Sequence, residues 1–406
     1  MRDRFPDDFW WGTAASSPEN EGAAPASDWL QWERAGKVPP SGDGTSFAAR
    51  YAEDFRLYAS YGLTHHRLGI EWARIEPEPG KRDPRAVEHY RDMLLAAQDA
   101  GVAPWVCLHH FVLPTWVAPD GMGFCDERAR TELWHRHLDF VAETYGDLVF
   151  GWQPVNEPNV YAGNGFLLGV NPPGLTDWDI AMQAMEGAHL ASADAARILR
   201  GTGKPVATIQ ALIPAVPADS SPEAAAMTAR LDEATWGCWL RALRQGVLQV
   251  PGRPPIDAPG FADFDLIGFS YYSAMAITGS LTAEPYPAGA RTGLMGYAPW
   301  SGGLGLVIDR LCEEIPGRPL VIAEHGVGTD DDDWRCEILR ESLQIAADRL
   351  ANGVDIRGFF HWTGVDNYEW AKGYDVPFGI FDRDRRPKSS AHLLRAIATE
   401  GLNACL

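Results

Sequence analysis

Cysteine is scarce in this chain. Its six residues, at positions 107, 125, 238, 312, 336 and 405, contain no C-x-x-C pair. That scatter excludes a disulfide framework and the common zinc ribbons, and free thiols in a reducing cytoplasm are expected instead. Basic residues are also in deficit: 35 Lys and Arg against 55 Asp and Glu leave a net charge of −20. A surface this acidic argues against nucleic acid or anionic membrane as a partner. No apolar run reaches the roughly 20 residues of a membrane span. The opening, Met1 to Asp8, is charged and lacks an apolar segment, so no secretory signal is expected and the location expected is cytoplasmic. Linkers, repeats and low-complexity tracts are missing too, which predicts one domain over residues 1–406.

Two features that could suggest ligand chemistry do not carry it. Gly201-Thr202-Gly203-Lys204 lacks the G-x-x-x-x-G-K spacing of a phosphate loop and reads as a turn. Asp330 to Asp333 lack the ligand spacing of a calcium loop and read as a helix start, where carboxylates are favourable. The pairs His65-His66 and His109-His110 are adjacent on strands, so their side chains point to opposite faces. Neither pair is a metal site. No cofactor and no metal are expected.

What is present is a large core and a regular alternation. The chain has 406 residues, 46% of them hydrophobic, and 16 Trp. Exposed indoles beside polar groups suit the apolar faces of sugars. Apolar runs at residues 9–14, 64–72, 102–110, 148–157, 205–212, 264–272, 320–326 and 356–362 read as strands. Helices are predicted over 46–61, 84–100, 126–145, 176–199, 222–249, 304–314, 333–352 and 387–399, several with Pro near the start or Gly just past the end. Continuous apolar strands are covered on both faces and hence parallel. Eight β/α units predict an α/β fold, a single (β/α)₈ TIM barrel with its active site at the C-terminal ends of the strands. The Pro- and Gly-rich stretches 251–260 and 283–303 are expected as loops over that face.

Two glutamates stand at corresponding places. Leu148-Val149-Phe150 leads into Asn156-Glu157-Pro158, and Leu320-Val321-Ile322-Ala323 leads into Glu324-His325-Gly326. Pro158 lacks an N–H and should hold Glu157 extended, at the last position of a strand. Arg67, His109, His110, Asn156, Ser270, Tyr271, Tyr272 and His361 occupy similar strand ends. Two carboxyls facing one small molecule are the equipment of glycoside hydrolysis, one protonated to release the leaving oxygen and one ionised.

At this point the residues resemble glycoside hydrolase family 1, the β-glucosidase family, from end to end. The resemblance rests on Phe5-Pro-Asp-Asp-Phe-Trp-Trp-Gly-Thr-Ala, on Glu21-Gly22-Ala23, and on His66-Arg67-Leu68-Gly69-Ile70-Glu71-Trp72. It continues through Leu108-His109-His110-Phe111-Val112-Leu113-Pro114, Asn156-Glu157-Pro158 and Ile322-Ala323-Glu324-His325-Gly326. Its most specific part is His361-Trp362, then Asp366-Asn367-Tyr368-Glu369-Trp370-Ala371-Lys372-Gly373-Tyr374, Phe378-Gly379 and Arg386-Pro387-Lys388.

The resemblance implies a retaining β-glycosidase acting on a small-molecule β-glycoside, with Glu324 as nucleophile and Glu157 as acid/base. Arg67 would hold Glu324 ionised, Tyr272 would orient it, and Asn156 would bind the sugar 2-OH. His110 would contact the 3-OH and Trp362 would form the floor. Glu369 and Trp370 would hold the 4-OH and 6-OH, with Phe378 beside them.

Four positions depart from the family's pattern. Glu19 stands where glutamine is usual, Ser270 where asparagine precedes the paired tyrosines, Phe111 for tryptophan, and His325 for the asparagine after the nucleophile. Glu19, placed among the substrate-binding residues, accepts hydrogen bonds only. Two readings of it stay open: the usual hydroxyl contacts, or selection of an amino-substituted sugar. A phosphorylated sugar is disfavoured by the charge of Glu369. A transglycosidase would use the same two glutamates. A silent sugar-binding protein would be expected to have lost one of them.

Overall fold

The computed structural model describes residues 5–117 and 119–405. Eight parallel strands form one curled sheet: β1 (Trp10–Ala14), β2 (His65–Gly69), β3 (Ala103–Cys107), β4 (Gly151–Trp152), β5 (Gln210–Ala211), β6 (Ile267–Ser270), β7 (Leu320–His325) and β8 (Ile356–Trp362). Neighbours run in the order β4-β3-β2-β1-β8-β7-β6-β5. The edges meet through a parallel bridge between Trp152 and Val206. There Trp152 donates to the Pro205 carbonyl at 2.9 Å and Ala207 to the Trp152 carbonyl at 2.8 Å. The result is the expected (β/α)₈ barrel.

A helix follows each strand: α1 (Phe47–Ser60), α2 (Pro84–Asp99), α3 (His135–Tyr145), α4 (Trp178–Leu199), α5 (Pro222–Asp232), α6 (Ser301–Glu314), α7 (Asp332–Ala351) and α8 (Ser389–Glu400). Local chemistry starts them. Asp83 caps α2 ahead of Pro84, Asp177 caps α4, and Asp331 caps α7 by accepting from Trp334 at 3.1 Å. A side-chain acceptor there satisfies an N–H that has no partner within the helix. Inside the barrel, Trp105, Val321 and Phe360 are buried, with Trp10 and Phe150 against them. No helix among the described residues is long and apolar enough to cross a membrane.

Several expectations are corrected. Two short helices that were not predicted, Ser17–Glu21 and Asp28–Arg34, lie between β1 and α1. The segment around 126–145 opens with a π-helical stretch, Ala129–Trp134. The 222–249 helix stops at Gln245, and Val247–Leu248 pairs antiparallel with Ile256–Asp257. Residues 251–260 do not overlie the active face. Arg253 is paired with Glu186 on α4 at 2.7 Å, and Gly260 packs on Ala193 of the same helix. This loop therefore runs down the outside of the barrel. The stretch 283–303 does reach the active face, where Ala283–Tyr286 pairs with Ala274–Ile277.

Glu157 is also not extended. Its φ is 43° and ψ is 68°, and Pro158 opens the short helix Pro158–Ala162. Pro disfavours the right-handed helical region in the residue before it and suits the first helical position. The left-handed turn is held from both sides: Glu157 N–H donates to Ile209 at 3.0 Å, and its carbonyl accepts from Val160 at 2.9 Å. A non-glycine residue in this region costs on the order of 1–3 kcal/mol and persists where its surroundings over-determine it. Phe111 (φ 69°) and Trp370 (φ 45°) are two more such residues, and all three line the same cleft.

Candidate active site

The cleft at the C-terminal ends of the strands has a volume of about 640 Å³. Of the residues expected there, Glu157, Glu324, Ser270 and Tyr272 line it beside His110, Trp362, Glu369, Trp370 and Phe378. Arg67, Asn156 and Glu19 are each 0% exposed and stand behind these lining groups. The remaining strand-end side chains turn outward. His109 packs on the rings of Phe124 and Tyr161, each centred 4.9 Å away. Tyr271 donates to the Trp300 carbonyl, His325 bridges the Tyr271 carbonyl and Ser342, and His361 meets the Phe378 carbonyl. The two-residue period of a strand separates these from their inward neighbours.

The Glu324 carboxylate has a donor on each oxygen. Arg67 Nη2 donates to Oε1, and Tyr272 Oη donates to Oε2 at 2.6 Å. Arg67 also donates through Nη1 to Asn156 Oδ1 at 2.8 Å, and Asn156 Nδ2 lies 3.2 Å from His110 Nε2. Strands β2 and β7 and the loops after β3, β4 and β6 are thus joined by one buried network. The guanidinium gives Glu324 a charge-assisted partner that no solvent competes for.

Glu157 has different surroundings. Its one side-chain hydrogen bond comes from Ser270 Oγ. Burial, then the nearby charge of Glu324, push its carboxyl up to about 8, against the pull of the Ser270 bond and Arg67. Two carboxyls in one cleft are therefore held in opposite circumstances, the pattern that separates an acid from a nucleophile.

The far end of the site is acidic. Asn367 Nδ2 donates to Glu19 Oε1 and to Glu369 Oε2, both at 3.0 Å, and Ser16 donates to the other Glu19 oxygen. Burial first, then Glu369, push the Glu19 carboxyl well above its usual range. Burial likewise raises Glu369 to about 7, opposed by Asn367 and the Trp362 indole. Aromatic rings close the inner wall: His110 stacks between Trp362 (5.6 Å) and Trp370 (5.9 Å), and Phe111 lies 5.5 Å from Trp370. Sequence reasoning missed Tyr297, whose ring lies 6.3 Å from Tyr272, and gave no role to Asn367, although it sits in the quoted C-terminal run. Nothing in the local pattern around Tyr297 distinguishes it from the rest of its loop.

A (β/α)₈ barrel that brings two such carboxyls into one cleft with stacked aromatic rings has the apparatus of a glycoside hydrolase. The description Glycosyl hydrolase family 1 matches residues 1–249 and 262–401. The chain belongs to that family. It is 27% identical to a coniferin beta-glucosidase of Pinus contorta, over 97% of this chain and 92% of that protein. It is 25% identical to a 6-phospho-beta-glucosidase of Bacillus subtilis, over 97% of each. The solved structure of a beta-glycosidase from Pyrococcus horikoshii is 30% identical and superposes with a TM-score of 0.90, covering 98% of this chain and 95% of that one.

Proposed function

We propose that the protein hydrolyses small, non-phosphorylated β-glycosides with retention, by double displacement, using Glu324 as nucleophile and Glu157 as acid/base. The observation that carries this is the contrast between the two glutamates. Glu324 is held by Arg67 and Tyr272, while Glu157 is buried and pushed up to about 8. A carboxyl protonated at neutral pH can give its proton to the departing glycosidic oxygen as Glu324 attacks the anomeric carbon. Glu157, now ionised, then takes a proton from water, which releases the sugar from Glu324. Asn156, at the hub between Arg67 and His110, would meet the 2-OH. His110 would read the 3-OH, Trp362 would support the ring's apolar face, and Glu369 and Trp370 would read the 4-OH and 6-OH.

The name of the Bacillus subtilis relative specifies a 6-phospho sugar. That substrate suits this cleft less well. Glu369 faces the cleft with Glu19 behind it, and two carboxyls there disfavour a phosphate. Lys372, the one Lys or Arg among the described cleft-lining residues, is solvent-exposed at the rim. The test is a panel of aryl β-glycosides, including the glucoside, its 6-phosphate, the galactoside and the glucosaminide, run with Glu157→Gln and Glu324→Gln variants. Proton NMR of the first-formed anomer reads the stereochemistry. Release of the α-anomer first, or full activity in either variant, would sink the double-displacement reading. Preference for the 6-phosphate would sink the substrate assignment.

A further inference from the structure

The loop after β8 carries Glu369, Trp370 and Phe378 into the cleft. Between β8 and α8 its one helical element among the described residues is the short 3₁₀ turn Trp370–Lys372. Individual side chains must therefore hold this loop in shape. Both neighbours of Asn367 are pinned. Asp366 N–H donates to the Phe381 carbonyl at 3.0 Å. The Asp366 carboxylate accepts from Gly379 N–H at 2.9 Å and from Lys388 at 2.7 Å. Tyr368 Oη donates to the Pro39 carbonyl at 2.6 Å. Asn367, between them, is 2% exposed and is not among the residues that line the cleft.

The Asn367 amide nitrogen faces three oxygens, each at 3.0 Å: Glu369 Oε2, Glu19 Oε1 and the Tyr368 carbonyl. Its two hydrogens cannot fully serve three acceptors. The orientation of the amide is forced all the same, because a rotated side chain would set its carbonyl oxygen against all three. The Oδ1 end meets the Thr363 hydroxyl at 3.4 Å, and that hydroxyl donates to the Val365 carbonyl at 2.7 Å. A pinned amide thus directs its donors at Glu369, the one of the two carboxyls that lines the cleft. Glu369 is a long, flexible side chain, and the Trp362 indole also donates to it. Fixing such a chain takes more than one partner, since each donor restrains a different motion.

Resting on the reading that Glu369 meets the 4-OH and 6-OH, we infer that Asn367 is a positioning residue that sets which sugar is held. It does not touch the sugar. It fixes the Glu369 carboxyl where a hydroxyl at the far end of the ring can donate to it. A hydrogen bond weakens steeply as its angle opens, and one to an ionised acceptor has the most to lose. Loss of Asn367 therefore falls on sugars that carry the hydroxyl Glu369 meets, and spares those that lack it.

The test uses whichever aryl β-glycoside the panel above shows to turn over best, glucoside or galactoside, with its 4-deoxy and 6-deoxy analogues. Asn367→Ala, Glu369→Ala and the double variant are compared with wild type. Asn367→Ala should lower kcat/KM for the parent glycoside by about tenfold. At least one of the two parent-to-deoxy ratios should shrink by about fivefold or more. Asn367→Ser, which keeps one donor, should restore part of that ratio. Adding Asn367→Ala to Glu369→Ala should leave both ratios where Glu369→Ala alone puts them. Equal losses on all three glycosides would mark Asn367 as merely structural and overturn the inference. A further shift of the ratios in the double variant would do the same. Calorimetry with the matching methyl 1-thio-β-glycosides, which resist hydrolysis, reads these ratios in Kd without turnover. Kd ratios that shrink in Asn367→Ala, with no glycoside hydrolysed by wild type, would overturn the hydrolytic reading and leave this inference standing. Unmoved Kd ratios, or undetectable binding, would overturn the inference.

Discussion

Glu19 and Glu369 hang on the same nitrogen: Asn367 Nδ2 donates to a carboxyl oxygen of each at 3.0 Å. Glu19 is fully buried, and of the two only Glu369 lines the cleft. Two neighbouring buried carboxylates cannot both ionise cheaply, so one proton is retained between them. A glutamine at position 19 could donate permanently where the glutamate donates only while protonated.

The pair makes stability pH-dependent with a definite sign. A carboxyl raised in the native state binds more protons than in the unfolded chain, so stability falls as pH rises between the two values. For Glu369 that window runs from the usual carboxyl value of 4.5 to about 7. Glu324, Arg67 and Tyr297 are the other ionisable groups facing the pair, and none of them is altered by a change at position 19. Glu19→Gln should therefore raise the thermal midpoint at pH 8 by roughly 2 °C or more while changing it less at pH 5. Scanning calorimetry at both pH values checks this, and an equal shift at the two would refute the shared proton.

Glu157 should set the basic limb of the pH profile. Burial and Glu324 raise its carboxyl to about 8, so kcat/KM should fall as pH rises through that value. The Ser270 hydroxyl stabilises the ionised form, so Ser270→Ala should move the limb to higher pH. A limb that stays put in Ser270→Ala, or that survives in Glu157→Gln with an activated aryl leaving group, would assign it to another group.

Tyr272 and Arg67 should separate in their effects. Tyr272→Phe removes one donor from Glu324 and leaves Arg67 in place. It should lower kcat by roughly 100-fold, the lower end of the range for losing one preorganised donor, with little change in thermal midpoint. Arg67→Met strands a buried carboxylate and should destabilise the fold by about 3–5 kcal/mol as well as abolish turnover. Denaturation curves beside steady-state kinetics make the comparison.

Gly326 links packing to chemistry. Its φ is not positive, yet a Cβ there would lie 2.1 Å from the Trp362 carbonyl oxygen. The close approach of the β7 and β8 ends requires the missing side chain. Gly326→Ala should cost about 1–3 kcal/mol of stability and lower kcat/KM, because it pushes between Glu324 and the Trp362 floor. A variant that loses stability with kinetics untouched would show that the backbone yields away from the site.

The sequence by itself determined the barrel and the two glutamates. Apolar strand runs, Asp and Ser caps, and Pro and Gly at helix ends are local signals, set by a residue and its near neighbours. The ends of β7 and β8 were legible for that reason. Pro158 was legible as a boundary, but whether Glu157 before it was extended or left-handed was decided by Ile209 on one side and the helix Pro158–Ala162 on the other. The tertiary structure alone decided that Glu19 lies behind Glu369, that His109 and His361 turn outward while His110 and Trp362 turn in, and that residues 251–260 run along α4. Each of these depends on contacts between segments far apart in the chain. Such contacts exist only once the barrel closes and brings all eight strand ends to one face.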